Sequence, residues 1–403
     1  MYKIKIYMIY DIVIIGSGIS GLYAAYSMSR SHPQLSCIIL EKEHEIGGRI
    51  HSESFYGEEV KMGGGIVREN DMELRKLLHQ LHIHVSFSIH FIQHISPPID
   101  IIDIITKTRR IYEKNHPYYP YYTTFRTYAQ QLWGKSTYEQ FIKSNMYDDF
   151  QTSSIKEVLF NYDFSLNTSG YKEGSINWNQ LLARLDNNIP YPIITNCQVN
   201  DITKQQTNTF MITTSKGILT CKKIICATPV HVLSRFFPNR NYDYLIPSPS
   251  IKVYAKVSKS SISIMKKHVA IHTIVPTVLK NIIPIHKEKG IYVIAYSDEE
   301  DAIALSHKTD DTKENRKFYS RLLEQSLQLP NHSITCTRII GRYWPYAMYT
   351  TSPYVKDIPS FLYDLQRPDP MIRVIGEAVG EHGWVGGAID TVPKVITTDW
   401  LDT

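Results

Sequence analysis

The sequence predicts an α/β protein built around a parallel sheet and joined to a second, mixed α+β region; three observations carry that reading. Residues 10–42 run strand, glycine turn, helix, strand, which is the pattern of a βαβ unit. Residues 193–227 return to short β-type runs after a long interruption of helical period. Residues 250–345 then alternate apolar strands with one strong helix, before a last strand and a glycine-rich segment. At 403 residues, 43% hydrophobic and 21% charged, the chain is long enough for two domains and has the balance of a globular protein with a large core.

Taken in order, the apolar run Ile12–Ile15 supplies the first strand, an Ala/Leu/Tyr helix reaches about Ser31, and Cys37–Leu40 supplies the second strand. The apolar stretch Tyr7–Ile19 ends in glycines and falls short of the roughly 20 residues of a membrane span, so it reads as buried strand. From about 90 to 185, stretches such as Phe125–Leu132 and Tyr138–Lys143 have helical period and read as an inserted helical region. The tyrosine-rich loop at 116–122 interrupts it, its rings packing the loop. Thr209–Thr213, Ile218–Cys221 and the buried run from Lys223 to Pro229 read as successive β runs separated by polar turns. Strands follow at Ile251–Val257, Ile291–Ala295 and Cys336–Tyr343, with a helix from about Asp311 to Gln328 that Pro330 prevents from continuing. Arg373–Gly376 reads as strand and turn.

Composition narrows the function. A net charge of +5 spread along the chain gives no electrostatic footprint for nucleic acid. Five cysteines at irregular spacings, with no CxxC pair, argue against a disulfide framework or a zinc site and suit a reducing, cytoplasmic setting. His79, His82 and His84 lack cysteines or carboxylates at ligand spacing, so they read as a solvated face and no metal is expected. The glycosylation-like triplets at Asn167 and Asn331 read as chance matches in surface segments.

The chemistry-bearing motif is Gly16-Ser-Gly18-Ile-Ser-Gly21, placed where a strand ends and a helix opens. Gly16 permits the tight turn, Gly18 lets backbone approach a pyrophosphate, and Gly21 lets the helix pack on the sheet. The N–H groups from Ile19 and Ser20 onward face the anion. Glu41, with Lys42 after it, ends the second strand about 20 residues on, where a carboxylate receives ribose hydroxyls. Strand, helix and acid in register predict dinucleotide binding. Gly47-Gly48-Arg49 follows within one loop, a guanidinium fork suited to a diphosphate. Two further glycine-rich segments, Met62–Gly65 with Ile66 after it, and Gly376–Ala388, mark places where backbone passes close to something bulky.

On these residues the chain resembles the flavin-containing amine oxidase family, which includes monoamine and polyamine oxidases, with desaturases and protoporphyrinogen oxidases sharing the FAD half. The resemblance runs through most of the chain, its motifs concentrated at 10–67, 171–185, 223–232 and 373–392. It implies a GR2-type, discontinuous Rossmann-like FAD-binding domain from 1–90, 190–248 and 360–403. An inserted α+β substrate-binding domain would take 91–189 and 249–359. It implies that Gly64 and Gly65 pass the flavin, that Val199 offers a backbone amide to adenine, and that Gly376 and Glu377 stand beside the ribityl and phosphate. Val385 and Ala388 would belong to a closing helix whose N-terminus faces the flavin's carbonyl edge.

For catalysis the resemblance implies that Lys252 holds a water against the flavin, and that Tyr349 and Trp384 flank an amine substrate and steer its α C–H. The plainer readings are an exposed strand lysine and core aromatics. Two departures bear on the cofactor: Lys61 stands where the family has an acidic residue, and Pro353 stands where covalently flavinylated relatives carry the attachment cysteine, which implies non-covalent FAD. The implied reaction is amine oxidation with dioxygen as acceptor. Its rivals are another FAD reaction on the same scaffold and a flavin-binding module without turnover. The amine and the oligomeric state are not specified by the sequence, and neither a nucleic-acid nor a membrane partner is expected.

Overall fold

A computed structural model describes residues 8–115, 120 and 122–403. Its first sheet orders Val199–Lys204, Phe210–Thr214, Gly217–Cys226, Ile9–Ile15, Cys37–Leu40 and Ile193–Ile194. Ile9–Ile15 lies in parallel register between Gly217–Cys226 and Cys37–Leu40. Its side chains alternate between two cores, Ile12 and Ile14 to one and Val13 and Ile15 to the other, because a parallel sheet is covered on both faces.

The run Ile218–Cys221 and the start of the run Lys223–Pro229, separated in sequence at Lys222, form one strand, Gly217–Cys226. The lysines do not break it because each finds a partner: Lys222 pairs with Asp11 at 2.8 Å, and buried Lys223 donates to the carbonyls of Trp400 and Leu401 at 2.6 and 2.9 Å. The strand's first half pairs antiparallel with Phe210–Thr214, and its last three residues pair in parallel with Ile372–Val374.

Helix Ile19–Ser31 covers one face together with Met72–Gln80, Trp178–Asn188 and Trp384–Val395. Leu22, Leu77, Trp178, Leu185 and Ile389 meet there in one core. The second sheet orders Cys336–Thr351, Leu245–Val257, Ile291–Asp298, Asn281–His286, His272–Ile274 and Ile92–His94. Against it lies the helical segment, whose Phe125, Phe141, Phe150 and Phe164 pack edge to face and tilted with centroids 5.2–6.2 Å apart.

Three local findings refine the sequence reading. The helix expected at 311–328 is Lys313–Ser326: Thr312 caps it, while Asp311 is drawn away to Arg316 and Arg338. Asn167 does not lie in a surface segment; it is 1% exposed, and its carbonyl accepts the N–H groups of Met146 and Tyr147 at 2.9 and 3.1 Å. Of the tyrosine-rich loop, Tyr122 stacks on Tyr354 at 5.5 Å, and residues 116–119 and 121 lie outside the described residues. Among the described residues no helix is long and apolar enough to cross a membrane, and all five cysteines are buried free thiols.

Candidate functional site

The glycines of the fingerprint divide their work. Gly16 has φ +102°, a left-handed value, and a side chain there would meet the Ala227 carbonyl at 2.5 Å; one at Gly21 would collide with the Gly16 carbonyl. Gly18, by contrast, has nothing within 4 Å of where its Cβ would stand. The middle glycine therefore opens onto free space at the start of a 13-residue helix with neither a side-chain cap nor an acid in its first turn. Such a terminus presents unpaired N–H groups and a partial positive charge, and it suits a phosphate.

Glu41 is buried, 7% exposed. One oxygen accepts from the N–H and hydroxyl of Ser17, both at 2.8 Å, and the other from the N–H of Glu43 at 3.0 Å. A carboxylate offers about four lone-pair positions, so the second oxygen keeps room for one hydroxyl. Gly47 and Gly48, with φ +109° and +61°, fold their loop against the fingerprint, where the Gly47 N–H reaches the Ser17 carbonyl at 2.9 Å. Lys42 stays on the surface beside Glu43. Val199 sits buried at the start of the edge strand, its carbonyl taken by Arg235 at 3.1 Å. These donors, the open Gly18 and the carboxylate fit a dinucleotide.

Arg49 joins this cradle to the chain's last segment. Its guanidinium donates to the buried Glu377 carboxylate at 2.9 Å and to the Ala347 carbonyl at 2.8 Å. The other Glu377 oxygen accepts the N–H of Tyr349 at 3.0 Å. Glu377→Gln should cost about 1–3 kcal/mol, below the range for a fully buried pair because Arg49 is 34% exposed; the denaturation midpoint checks this.

The glycine strip at 62–65 is held from the second sheet. Lys252 donates to the Gly63 carbonyl at 2.7 Å, Trp344 to Met62 at 2.8 Å and Tyr254 to Lys61 at 2.6 Å. From the other side Lys61 reaches the Gly65 carbonyl at 3.0 Å. The Lys252 ammonium also lies 4.4 Å over the Tyr296 ring. Burial, reinforced by nearby Lys61 and opposed by Glu173, pushes its pKa down to about 7.

Trp384 opens the closing helix, Trp384–Val395, with φ +74°. For a bulky residue that conformation costs on the order of 1–3 kcal/mol and tends to cluster at functional sites. Its ring packs edge-on to Tyr147 at 5.2 Å and under Arg68 at 5.0 Å. With Gly65, Ile66, Tyr171 and Val385 these side chains enclose a narrow cavity. Gly64 runs so close to Val385 that a methyl group on it would stand 3.0 Å from the Val385 side chain. Gly376, φ +123°, turns beside Ser20, and Ala388 packs in the core under the fingerprint helix.

The structure thus brings Lys252, Gly64, Gly65, Ile66, Trp384 and Val385 toward one place. Tyr349 lies with the second core of the first sheet and meets the site through its backbone; the ring beside Trp384 is Tyr147. Sequence reasoning missed Tyr147, Tyr171 and Tyr296, which come from three separate segments; Tyr147 and Tyr296 lie in no motif, and Tyr171 only opens the stretch 171–185. An open surface hollow of about 570 Å³ between Tyr56, Asp311 and Arg338 contains none of these residues.

Residues 14–81 match the family described as NAD(P)-binding Rossmann-like domain. Over nearly its whole length the chain shares its fold with solved oxidase structures. A putrescine oxidase bound to putrescine is 16% identical with a TM-score of 0.73, over 96% of this chain and 98% of that one. An Exiguobacterium protein assigned as a protoporphyrinogen oxidase is 14% identical with a TM-score of 0.70, over 98% and 99%. A curated relative, an uncharacterized protein of Acanthamoeba polyphaga mimivirus, is 36% identical over 56 residues, which span 13% of this chain and 11% of the relative.

Proposed function

We propose that the chain is an FAD-dependent oxidoreductase that oxidises an amine. The observation that carries this reading is Lys252, a lysine brought to about pKa 7 at the glycine strip and lying over the Tyr296 ring, which packs on Tyr147 beside Trp384. The fold likeness to an oxidase bound to putrescine supports a small amine over a nucleic-acid or protein substrate. FAD, when bound, supplies a hydride acceptor whose electrons return to dioxygen as hydrogen peroxide.

The chain's residues do the rest. Gly18, Ile19, Ser20 and Arg49 hold the diphosphate, Glu41 a ribose hydroxyl, and the Val199 backbone the adenine, all without a covalent bond. The first sheet and its helices form the cofactor domain from 1–90, 190–248 and 360–403, and residues 91–189 and 249–359 form the substrate domain. Tyr147, Tyr296 and Trp384 keep the cavity dry and orient the amine. Above about pH 7 Lys252 is neutral and able to accept a proton, so the rate should rise as pH passes through 7. Five buried thiols support a reducing, cytoplasmic setting.

A second reading, porphyrinogen oxidation, draws on the Exiguobacterium likeness. Anaerobic addition of mono-, di- and polyamines and amino acids to the purified yellow protein decides between them. Bleaching by one amine class is expected. Bleaching by a porphyrinogen alone selects the second reading, and a protein that binds no flavin overturns both.

A further inference from the structure

Beside the cavity lies a hydrogen-bond chain whose direction is fixed from its far end. The Asn281 amide nitrogen donates to two carbonyls, Met146 at 2.9 Å and Tyr296 at 2.7 Å, so its oxygen is the acceptor offered to His272 Nε2 at 2.8 Å. His272 Nε2 therefore carries the proton, and its Nδ1 presents a lone pair. His90 Nε2, 2.6 Å from that lone pair, must be the donor. What remains of His90 is Nδ1, which faces Glu173 Oε2 at 3.3 Å. A bare ring nitrogen and a bare carboxylate oxygen would repel each other, so this contact is stable only with a proton between them.

The same Glu173 oxygen accepts the Tyr171 hydroxyl at 3.1 Å, and Tyr171 lines the cavity with Trp384, Tyr147 and Val385. The His90 and Tyr171 rings lie 4.8 Å apart. We infer that Tyr171, Glu173 and His90 form the proton exit of this cavity, with His272 and Asn281 as positioning residues that hold His90 in the one orientation able to serve Glu173. The inference rests on the amine reading only for the source of the proton.

When an ammonium group enters the cavity, its first N–H proton passes to the Tyr171 oxygen as the Tyr171 hydroxyl proton passes to Glu173, and neutral Lys252 takes the second N–H proton, which is shed after the hydride has left. The first transfer leaves the amine neutral and regenerates the phenol, and the carboxyl releases its proton to water from its partly exposed side, 27% accessible. His272 takes no part in transfer, because both its nitrogens are committed and burial pushes its pKa down to about 4. Other charged and titratable groups face the relay. Lys61 and Lys252 act on Glu173 from the glycine strip. Arg68 and Tyr147 act on Tyr171, and His94 stands by His272. Burial opposes ionisation of Glu173, but the hydrogen bonds from His90 and Tyr171 hold its pKa below the usual carboxylate value, and the ionised carboxylate is the state that can accept a proton.

Two measurements test this. Imidazole ¹⁵N spectra of the purified protein, assigned with His90→Gln and His272→Gln, need no substrate. His272 should be the Nε2–H tautomer above about pH 4, and His90 should carry a proton on Nε2. In Glu173→Gln the His90 Nδ1 chemical shift should change at fixed pH. A His272 in the Nδ1–H form, or a His90 Nδ1 signal unmoved by Glu173→Gln, overturns the relay even if amines bleach the flavin. The second measurement is anaerobic bleaching of Glu173→Gln across pH. A deficit of at least about tenfold at pH 7 that narrows toward pH 10, where alkylamines arrive largely neutral, is expected. A deficit equal at all pH values marks a merely structural residue and overturns it.

Discussion

Lys252→Met should bind flavin normally and bleach about a hundredfold or more slowly with the best amine at pH 8, the usual scale for loss of a positioned proton-transfer group. Stopped-flow reduction measures it, and an unchanged rate would remove Lys252 from the mechanism. Stability gives an independent readout. The free side chain titrates near 10.5 and the folded one near 7. Below about pH 7 both states are charged and the fold carries the whole penalty. Between about 7 and 10.5 folding releases a proton and the penalty shrinks, so wild-type stability rises with pH across that window. The shift corresponds to roughly 5 kcal/mol at 1.36 kcal/mol per unit, and partial solvent access reduces it to a few kcal/mol. Methionine escapes the penalty but leaves the Gly63 carbonyl without its donor, a cost of about 1–3 kcal/mol. The variant should therefore match or exceed wild type in urea at pH 6 and fall behind it by pH 10.

Two glycines of the fingerprint should respond oppositely to the same methyl group. Gly21→Ala drives a side chain into the Gly16 carbonyl, which is backbone and cannot yield locally, so the helix must lift off the sheet. A loss above about 4 kcal/mol is expected, in the range reserved for core overpacking and backbone strain. Gly18→Ala meets nothing within 4 Å and has φ −64°. Its stability should stay within about 0.5 kcal/mol of wild type, while the methyl group occupies the space a pyrophosphate needs and flavin affinity falls at least about tenfold. Thermal melts and flavin titration separate the two effects. A Gly18→Ala protein that binds flavin normally would mean that the helix terminus serves some other purpose.

This contrast shows what sequence reveals and what it conceals. The fingerprint was legible because its constraints are local: three glycines and an acid within about 25 positions each answer a backbone or charge requirement that spacing alone expresses. The strand positions followed from apolar runs, except that the sequence divides one strand at Lys222, because the partner that keeps this charge in the strand, Asp11, is remote in sequence. The cavity was the least legible part. Trp384 was found through a motif, but Tyr147 reaches it from a helical segment by virtue of Asn167, a residue that resembled a surface glycosylation triplet. Aromatic residues in a chain with 28 tyrosines give no periodic clue as to which of them will meet. Tyr349 shows the converse, since a plausible offset from Trp344 led to a ring packed under the first sheet.

The strand Ile372–Val374 completes the first sheet beside Ile224–Cys226, and the Trp384–Val395 helix covers the one that opens the chain. On a ribosome, then, the nucleotide half waits: its βαβ unit emerges before the second sheet and the helices, yet the strand and helix that complete it follow them, when those elements have had time to collapse on their own. Closure across such sequence distances is slow, and an unfinished sheet edge exposed in the interval invites misassociation. A cofactor that binds only the closed arrangement would pull this late step forward, so flavin supply during synthesis should govern how much chain reaches the native state.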